Sequence, residues 1–377
     1  MSESAIPTHL VTARTYPLGC ERGYVPPYPT YTSRFANKNS GIVMCILGSQ
    51  HEKPEETNAL WSIDEHPSST QEENCATNAA RQRMTGFFSN TSEKSQPKHY
   101  ELATQTGPTG VYEQCIFAYW DTKAAYEEWK VSSGVGQWWA RLDPKQENHG
   151  WYLEVFYIPQ ARFENAFTDP NVAEGAGHLQ ESASAAIQEH GYWGSMRDRL
   201  PISQTDPLHG EAVGSRSSSI IDSRARRIRV QGKKNLAVIR SGQDWSGAPE
   251  EEHRLYTKTM YPLLKQGMDF LRDSGRQVGC YSCRFMEGQD RTGSDTGDAA
   301  AQKTFGLAYF ADLGALEAWS RDHETHRRIY GGFFRYAKAL QNNISLRFFH
   351  EVFVLRPEQQ FFEYIGCTPE TGMLASF

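Results

Sequence analysis

With 377 residues, 38% of them hydrophobic and 12% aromatic, the chain can bury the core of one large domain or two modest ones. A formal net charge of -6 excludes a general basic face for nucleic acid; the local run SRARRIRV, with Arg224, Arg226, Arg227 and Arg229, reads as a solvated strand edge. No segment approaches the roughly 20 apolar residues of a membrane span, and the start lacks a basic stretch followed by an apolar one, so a cytoplasmic protein is expected.

Residues 1–40 contain GYVPPYPTYTSRF, whose prolines and tyrosines favour an extended arm laid on the body or on a partner subunit. GIVMCILGSQ at 41–50 is a continuous apolar run bounded by turn formers, the pattern of a buried strand. The polar stretch at 66–98 lacks periodicity and reads as a surface loop. EQCIFAYW at 113–120 is a second strand, feeding a helix with Ala125, Trp129 and Val135 on its apolar side, and GWYLEVFYIP is a third, closing at Pro159. EHGYWGSMRDRLPISQTD at 189–206 has little periodicity but holds Tyr192, Trp193, Arg197 and Arg199, more aromatic surface than a plain loop uses.

NLAVIRSGQDW at 235–245 starts the scheme again as a strand, followed by a helix over 251–275 that Gly275 stops. GCYSCRFM and KTFGLAYFADL are strands on either side of a second polar loop, 286–303, and SLRFFHEVFVLRP is the last long strand. Seven scattered cysteines suit reduced thiols better than a disulfide framework, and CYSC has neither a second pair nor a following histidine, so zinc and c-type haem attachment are unsupported.

The two halves resemble each other. AYWDTKAAYEEW at 118–129 lies without gaps on AYFADLGALEAW at 308–319, and each is followed by a strand, LEVFYIP and HEVFVLRP. Two β-α-β units per half give a ferredoxin-like plan, so the expected class is α+β: duplicated ferredoxin-like halves, antiparallel sheets packed as an α+β barrel, helices outside. The expected division is an arm (1–40), an N-terminal half (41–185) and a C-terminal half (186–377) within one compact unit. In this alignment His326 falls opposite Gly136 and His350 opposite Leu153, so both histidines belong to one half only.

Three positions carry chemistry on their own residues. In DHETHRRIY the steps back from Phe333 give Tyr330, His326, His323 and Trp319, which sets histidines among aromatics on one helical stripe, with GGFFR read as a turn that admits a flat group. A buried imidazole satisfied by hydrogen bonds and a ligand imidazole both fit this pattern; a His-Glu-x-x-His zinc spacing is absent, whereas one imidazole beside an aromatic slot is what haem asks for. His350 alternates with Phe348 and Val352 on one strand face, either as a core histidine or as a general acid facing a dry pocket. Ser241 follows an apolar strand without a Gly-x-Ser-x-Gly elbow, so it reads as a hydrogen-bonding hydroxyl.

Taken together, EHGYWGSMRDRLPISQTD, IRSGQDW, GMDFLRDSG with VGCYSCRF, THRRIY with GGFFR, HEVFV and YIGCTPETGML resemble the aldoxime dehydratase family, which includes the phenylacetaldoxime dehydratases. The resemblance is dense from about residue 185 onward. It implies a lyase that dehydrates aldoximes, R-CH=N-OH, to nitriles with haem b, active when ferrous, the oxime nitrogen bound to the iron. It further implies that His326 is the axial haem ligand, His350 the distal catalytic histidine, Ser241 the partner of the oxime hydroxyl, Arg199 a catalytic arginine and Glu164, in RFENAF, its supporting glutamate. Rival readings are a peroxidase-like or chlorite-dismutating haem enzyme on a dimeric α+β barrel scaffold, and a cofactor-free binding module. A homodimer is the common arrangement for such a chain.

Overall fold

The computed structural model of the chain describes residues 2–36, 41–52, 69–89, 92, 94–214, 223–289 and 302–377. The arm supplies β1 (Ser33–Arg34), and the first half runs β2 (Gly41–Glu52), α1 (Ser69–Ser89), β3 (His99–Thr106), β4 (Val111–Trp120), α2 (Lys123–Ser132), α3 (Val135–Arg141) and β5 (Gly150–Pro159). A connecting region holds β6 (Phe163–Phe167), β7 (Ser182–Ala183), α4 (Ser195–Arg199) and β8 (Arg227–Val230). The second half runs β9 (Leu236–Asp244), α5 (Glu250–Leu255), a π-helical turn (Tyr256–Met260), α6 (Tyr261–Ser274), β10 (Cys280–Gln289), β11 (Lys303–Phe310), α7 (Leu313–Asp322), α8 (Glu324–Ala339) and β12 (Arg347–Leu355), with β13 (Gln360–Ile365) last.

Eleven strands form one antiparallel sheet in the order β6-β12-β9-β11-β10-β3-β4-β2-β5-β13-β8. Within it β12-β9-β11-β10 and β5-β2-β4-β3 repeat the same order, last-first-third-second, which is the ferredoxin-like topology expected from the duplication. β10 joins β3 through Glu287 opposite Thr104, Gly288 opposite Ala103 and Gln289 opposite Leu102. The sheet curls so that its inner face closes on itself: Phe117 meets Phe305 edge-on at 5.1 Å, and Phe156 lies 5.2 Å from Phe353, each pair spanning both halves. Each such ring, fully buried, is worth about 2–3 kcal/mol of burial. The helices cover the outer face in two separate layers, α1–α3 over the first half and α6–α7 over the second.

The internal repeat extends to local detail. Thr122 caps α2 by accepting from the Ala125 amide at 3.2 Å, and Asp312 caps α7 by accepting from the Ala315 amide at 2.8 Å; such caps contribute about 1 kcal/mol each. Gly48 on β2 lies against the Tyr152 ring, and Gly242 on β9 against the Phe349 ring; a Cβ would come within 2.2 Å and 2.3 Å of those rings. Both glycines let an inward aromatic lie across its neighbouring strand.

Two strands are exchanged between the halves. β6, which follows the first half in sequence, pairs with β12, while β13, from the end of the chain, pairs with β5 and in turn with β8. The basic run therefore does sit on an edge strand, as expected: Arg227 donates to Glu363 and to the Trp139 and Leu142 carbonyls, and the Arg229 guanidinium stacks 3.7 Å over the Phe361 ring. The arm lies on the body: β1 pairs with β7, Tyr31 pairs with Phe167, and the Tyr24 hydroxyl donates to the His190 carbonyl.

Five sequence expectations need correction. The stretch 66–98 is not all loop, because residues 69–89 form α1; Ala80, Met84 and Phe88 recur every four residues and are buried, a stripe too narrow to stand out in a polar segment. In 286–303, β10 runs on to Gln289 and β11 begins at Lys303; residues 290–301 lie outside the described ones. The histidine helix is two helices, broken at His323, whose ring accepts from the Thr325 amide as the cap of α8. GGFFR is no turn: α8 runs through it to Ala339, and a Cβ on Gly332 would come 2.6 Å from Leu263 Cδ1, so this glycine lets α8 close onto α6. Similarly, the apolar side of Ala125 and Trp129 ends with α2, and Val135 opens α3 after Gly134 takes a positive φ of 78°. No disulfide occurs among the described residues; Cys280 and Cys283 are buried, and burial pushes the Cys283 thiol up to about 12. Among the described residues no helix is long and apolar enough to cross a membrane.

Candidate active site

The site is built on the outer face of β9, β12 and β6. Strand alternation sends Phe349, Glu351 and Phe353 into the barrel and leaves Phe348, His350 and Val352 facing out. Ser241 on β9 stands directly opposite His350 on β12, which places their Cβ atoms about 5 Å apart. Ser241 is exposed and the His350 side chain is 27% exposed, so neither is sealed within the packing of the sheet.

Glu164 reaches this face because β6 pairs with β12, with Glu164 opposite Val352 and Ala166 opposite His350. Arg199, at the end of α4, clamps Glu164 with two hydrogen bonds, Nε to Oε2 at 2.7 Å and Nη2 to Oε1 at 3.2 Å, and also donates to the Glu189 carbonyl at 2.9 Å. Both partners are almost fully buried, where a guanidinium–carboxylate fork is strong but only if every atom is satisfied. His350 Nε2 meets the same two groups, Arg199 Nη2 at 2.9 Å and Glu164 Oε1 at 3.0 Å.

A guanidinium can only donate. An Nε2 without a proton therefore accepts from Arg199, and one with a proton donates to Glu164. The cluster gives His350 a partner in either charge state. Burial pushes the Glu164 carboxyl up, but the Arg199 guanidinium and the imidazole outweigh it, and the group is held below its ordinary value. Glu164 is thus an anion that stays in place while the ring beside it gains or loses a proton.

His326 lies apart from this cluster, on α8. Trp319 packs edge-on against its ring at 4.9 Å, and Trp193 stands at 6.2 Å. Its Nδ1 is buried without a hydrogen-bond partner, and the Ser320 backbone acts weakly to raise the ring's pKa. Burial is the larger effect, lowering the ring to about 4, so the imidazole is neutral at pH 7. Beside it, Trp193, Tyr330 and Phe334 leave 43–50% of their surfaces exposed. Two elements connect the histidines. The Phe333 ring on α8 meets the Phe348 ring on β12 at 5.2 Å; His326 is seven residues from that contact, about 10 Å along a helix, and His350 is two residues from it, about 7 Å along a strand. The segment 189–199 also touches both, through Trp193 and Arg199.

The neutral, partly buried His326 ring meets the demand that a haem ligand makes, with Nδ1 buried and exposed aromatic surface alongside for a flat apolar group. The remaining two residues singled out by sequence do other work. His323 caps α8 and stacks on Phe270 at 4.0 Å, and Arg197 forks onto Glu317 of α7, with Nη2 to Oε2 at 2.7 Å, while donating to the Pro207 carbonyl. Arg197 therefore pins the 189–206 segment to the helices.

Sequence reasoning missed the groups directly behind the site. Arg240 and Glu351 are the sequence neighbours of Ser241 and His350 and stand opposite each other on the inner face. The Arg240 guanidinium lies over the Phe305 and Phe349 rings at 4.2 and 4.9 Å and pairs with Glu101, and Tyr119 donates to Glu351. An arginine in the middle of the apolar strand AVIRSG was the available signal.

Five imidazoles are driven down chiefly by burial, His149 and His190 among them, with His51 at about 4, His99 at about 3 and His326 at about 4. Each stays neutral in the folded chain at pH values where an unfolded histidine is charged. The stability they contribute is complete above about pH 6.5 and lost as pH falls toward 4, because the unfolded chain then binds more protons. The urea midpoint of the haem-free chain is expected to be lower at pH 4.5 than at pH 7; equal midpoints would contradict this.

A duplicated ferredoxin-like barrel, with a histidine–carboxylate–guanidinium cluster on one sheet face and a neutral imidazole on the helix packed beside it, is the frame of a haem enzyme. The chain belongs to the haem-containing dehydratase family, whose pattern matches residues 59–373. It is 36% identical over 375 residues to the aliphatic aldoxime dehydratase of Pseudomonas chlororaphis, covering 99% of this chain and 97% of the relative. The phenylacetaldoxime dehydratase of Bacillus sp. (strain OxB-1) is 30% identical over 75% of this chain and 80% of its own. A crystal structure of an aldoxime dehydratase in complex with butyraldoxime superposes with a TM-score of 0.84 at 34% identity, covering 99% of this chain and 96% of that one.

Proposed function

We propose that this chain dehydrates aldoximes to nitriles and water, with haem b held by His326 and active in the ferrous form. The observation that carries the reading is the His350–Glu164–Arg199 cluster standing across the strand from Ser241. Hydroxide is a poor leaving group, so the N–O bond breaks readily only when its oxygen is protonated as it departs. Ferrous haem, when bound, supplies the electron reservoir that holds the oxime nitrogen.

The chain's own residues supply the proton. Ser241 orients the oxime hydroxyl by a hydrogen bond. His350, with its Nε2–H donating to Glu164, gives the proton from its other nitrogen and is left as a neutral ring whose Nε2–H still donates to Glu164. The neutral ring is then the base that takes the carbon-bound proton as the nitrile forms, which returns the cluster to its first state. No net redox change or net proton uptake results.

The sequence and structural likeness to both aliphatic and phenylacetaldoxime dehydratases supports small aldoximes as the substrate class; a cytoplasmic homodimer is part of the proposal. The deciding experiment reduces the haem-loaded enzyme with dithionite under anaerobic conditions and adds butyraldoxime. Butyronitrile is the expected product, and turnover of peroxide or chlorite without nitrile formation would favour the other haem chemistries. Ser241→Ala is expected to lower kcat/KM by about tenfold, the scale of one hydrogen bond to a reacting group, with the haem spectrum unchanged; wild-type kinetics would remove its role.

A further inference from the structure

The first half keeps the repeat image of the active-site cleft. The offset of 190 residues that aligns Ala118 with Ala308 also aligns α2 with α7, the Trp129 and Trp319 rings, Lys130 with Ser320, Gly136 with His326 and Ala140 with Tyr330. Strand register agrees independently. Ala118 pairs with Cys45 as Ala308 pairs with Ile239, and two residues on Leu47 pairs with Leu153 as Ser241 pairs with His350. The flanking strand again presents a carboxylate held by a guanidinium, since Glu363 is opposite Leu153 and accepts from Arg227 at 2.7 Å.

This image holds a partly open pocket of about 390 Å³, within the range of small-molecule sites. The groups for acid–base and haem chemistry are replaced: leucines stand for the serine and the distal histidine. Gly136 stands for the ligand imidazole, and a Cβ there would already approach the Lys130 carbonyl at 3.0 Å. Its walls are aromatic and aliphatic, Trp129, Trp139, Tyr157 and Leu153 among them, and its charged lining is three cations, Lys130, Arg227 and Arg229, against the one carboxylate of Glu363.

We propose that this cavity is a second, non-catalytic binding site for a small anionic amphiphile, a monocarboxylate with an aliphatic or aryl body. The body lies against the Trp129 and Leu153 wall, and the carboxylate meets Arg229 at the rim, with Lys130, whose ammonium lies 3.5 Å from Glu127, beside it. Arg227 is already committed to Glu363 and to two carbonyls, whereas the exposed Arg229 guanidinium stacks over the Phe361 ring of the cavity lining with no hydrogen-bonded carboxylate, and so is the cation that meets a ligand.

The test is calorimetric titration of the haem-loaded enzyme with sodium octanoate, with octylammonium as the same body bearing the opposite charge. Arg229→Glu and Ala140→Trp alter exposed positions, the first reversing the rim charge and the second filling the mouth. Octanoate is expected to bind one per chain without moving the Soret band. Arg229→Glu should weaken binding at least tenfold, the scale of one charged hydrogen bond, and Ala140→Trp should abolish it, while both variants retain the parent haem spectrum. Absence of octanoate binding, equal binding of octylammonium, or binding untouched by both substitutions would overturn the proposal. Displacement of the Soret band by octanoate would overturn it too, because the ligand would then sit at the haem.

Discussion

His326→Ala is expected to emerge from purification without stoichiometric haem, with affinity for added haemin lowered by 100-fold or more. Loss of an outer partner of a metal ligand already costs on the order of 10–100-fold, and here the ligand itself goes. The ring's environment is that of a neutral donor: burial keeps it unprotonated, its Nδ1 is buried without a partner, and Trp319 packs against the ring from the edge. The fold should persist, since the ring contributes no hydrogen bond of its own to α8's packing and the helix is held through Gly332, Ile329 and Tyr336. Haemin titration followed by its Soret absorbance measures the loss, and addition of free imidazole to His326→Gly should restore part of it. A variant that keeps one haem per chain with unchanged Soret and ligand-field bands would assign the iron to some other residue.

Much of the plan was legible because the chain repeats itself. The gapless match of 118–129 on 308–319 anticipated the topology, and the register shows the same offset in strands and caps. What escaped reading has physical causes. Glu164 was reached only through the family resemblance: it belongs by sequence to the first half, but β6 crosses over to pair with β12, and strand exchange leaves no trace in local periodicity. His323 and His326 fell on one stripe only under a continuous helix; the break at His323 separates a capping ring from the buried one. α1 hid because its buried stripe of Ala80, Met84 and Phe88 lies in a segment otherwise dominated by polar residues. The cleft image in the first half was visible as two mismatched pairs, Gly136 with His326 and Leu153 with His350, although the cavity between them needed coordinates.

For His350→Ala the expected result is the reverse of the His326 variant: haem retained with its spectrum intact, and kcat lower by roughly 100-fold or more, the scale of a positioned general acid. The argument turns on Nε2. It is shared by a permanent donor, Arg199, and a permanent anion, Glu164, so the ring is oriented in either protonation state and only its other nitrogen is left for substrate. Alanine removes that proton and also strips Glu164 of one partner, but the Arg199 fork at 2.7 and 3.2 Å keeps the carboxylate paired, so the variant should fold. Glu164→Gln separates the roles. It leaves the imidazole in place and withdraws the anion that holds its charged form, so turnover should fall by less than in His350→Ala, with haem content equal in both. If the alanine variant instead turns over butyraldoxime at near wild-type rate, the proton comes from elsewhere, and the His350–Glu164–Arg199 cluster is part of the scaffold.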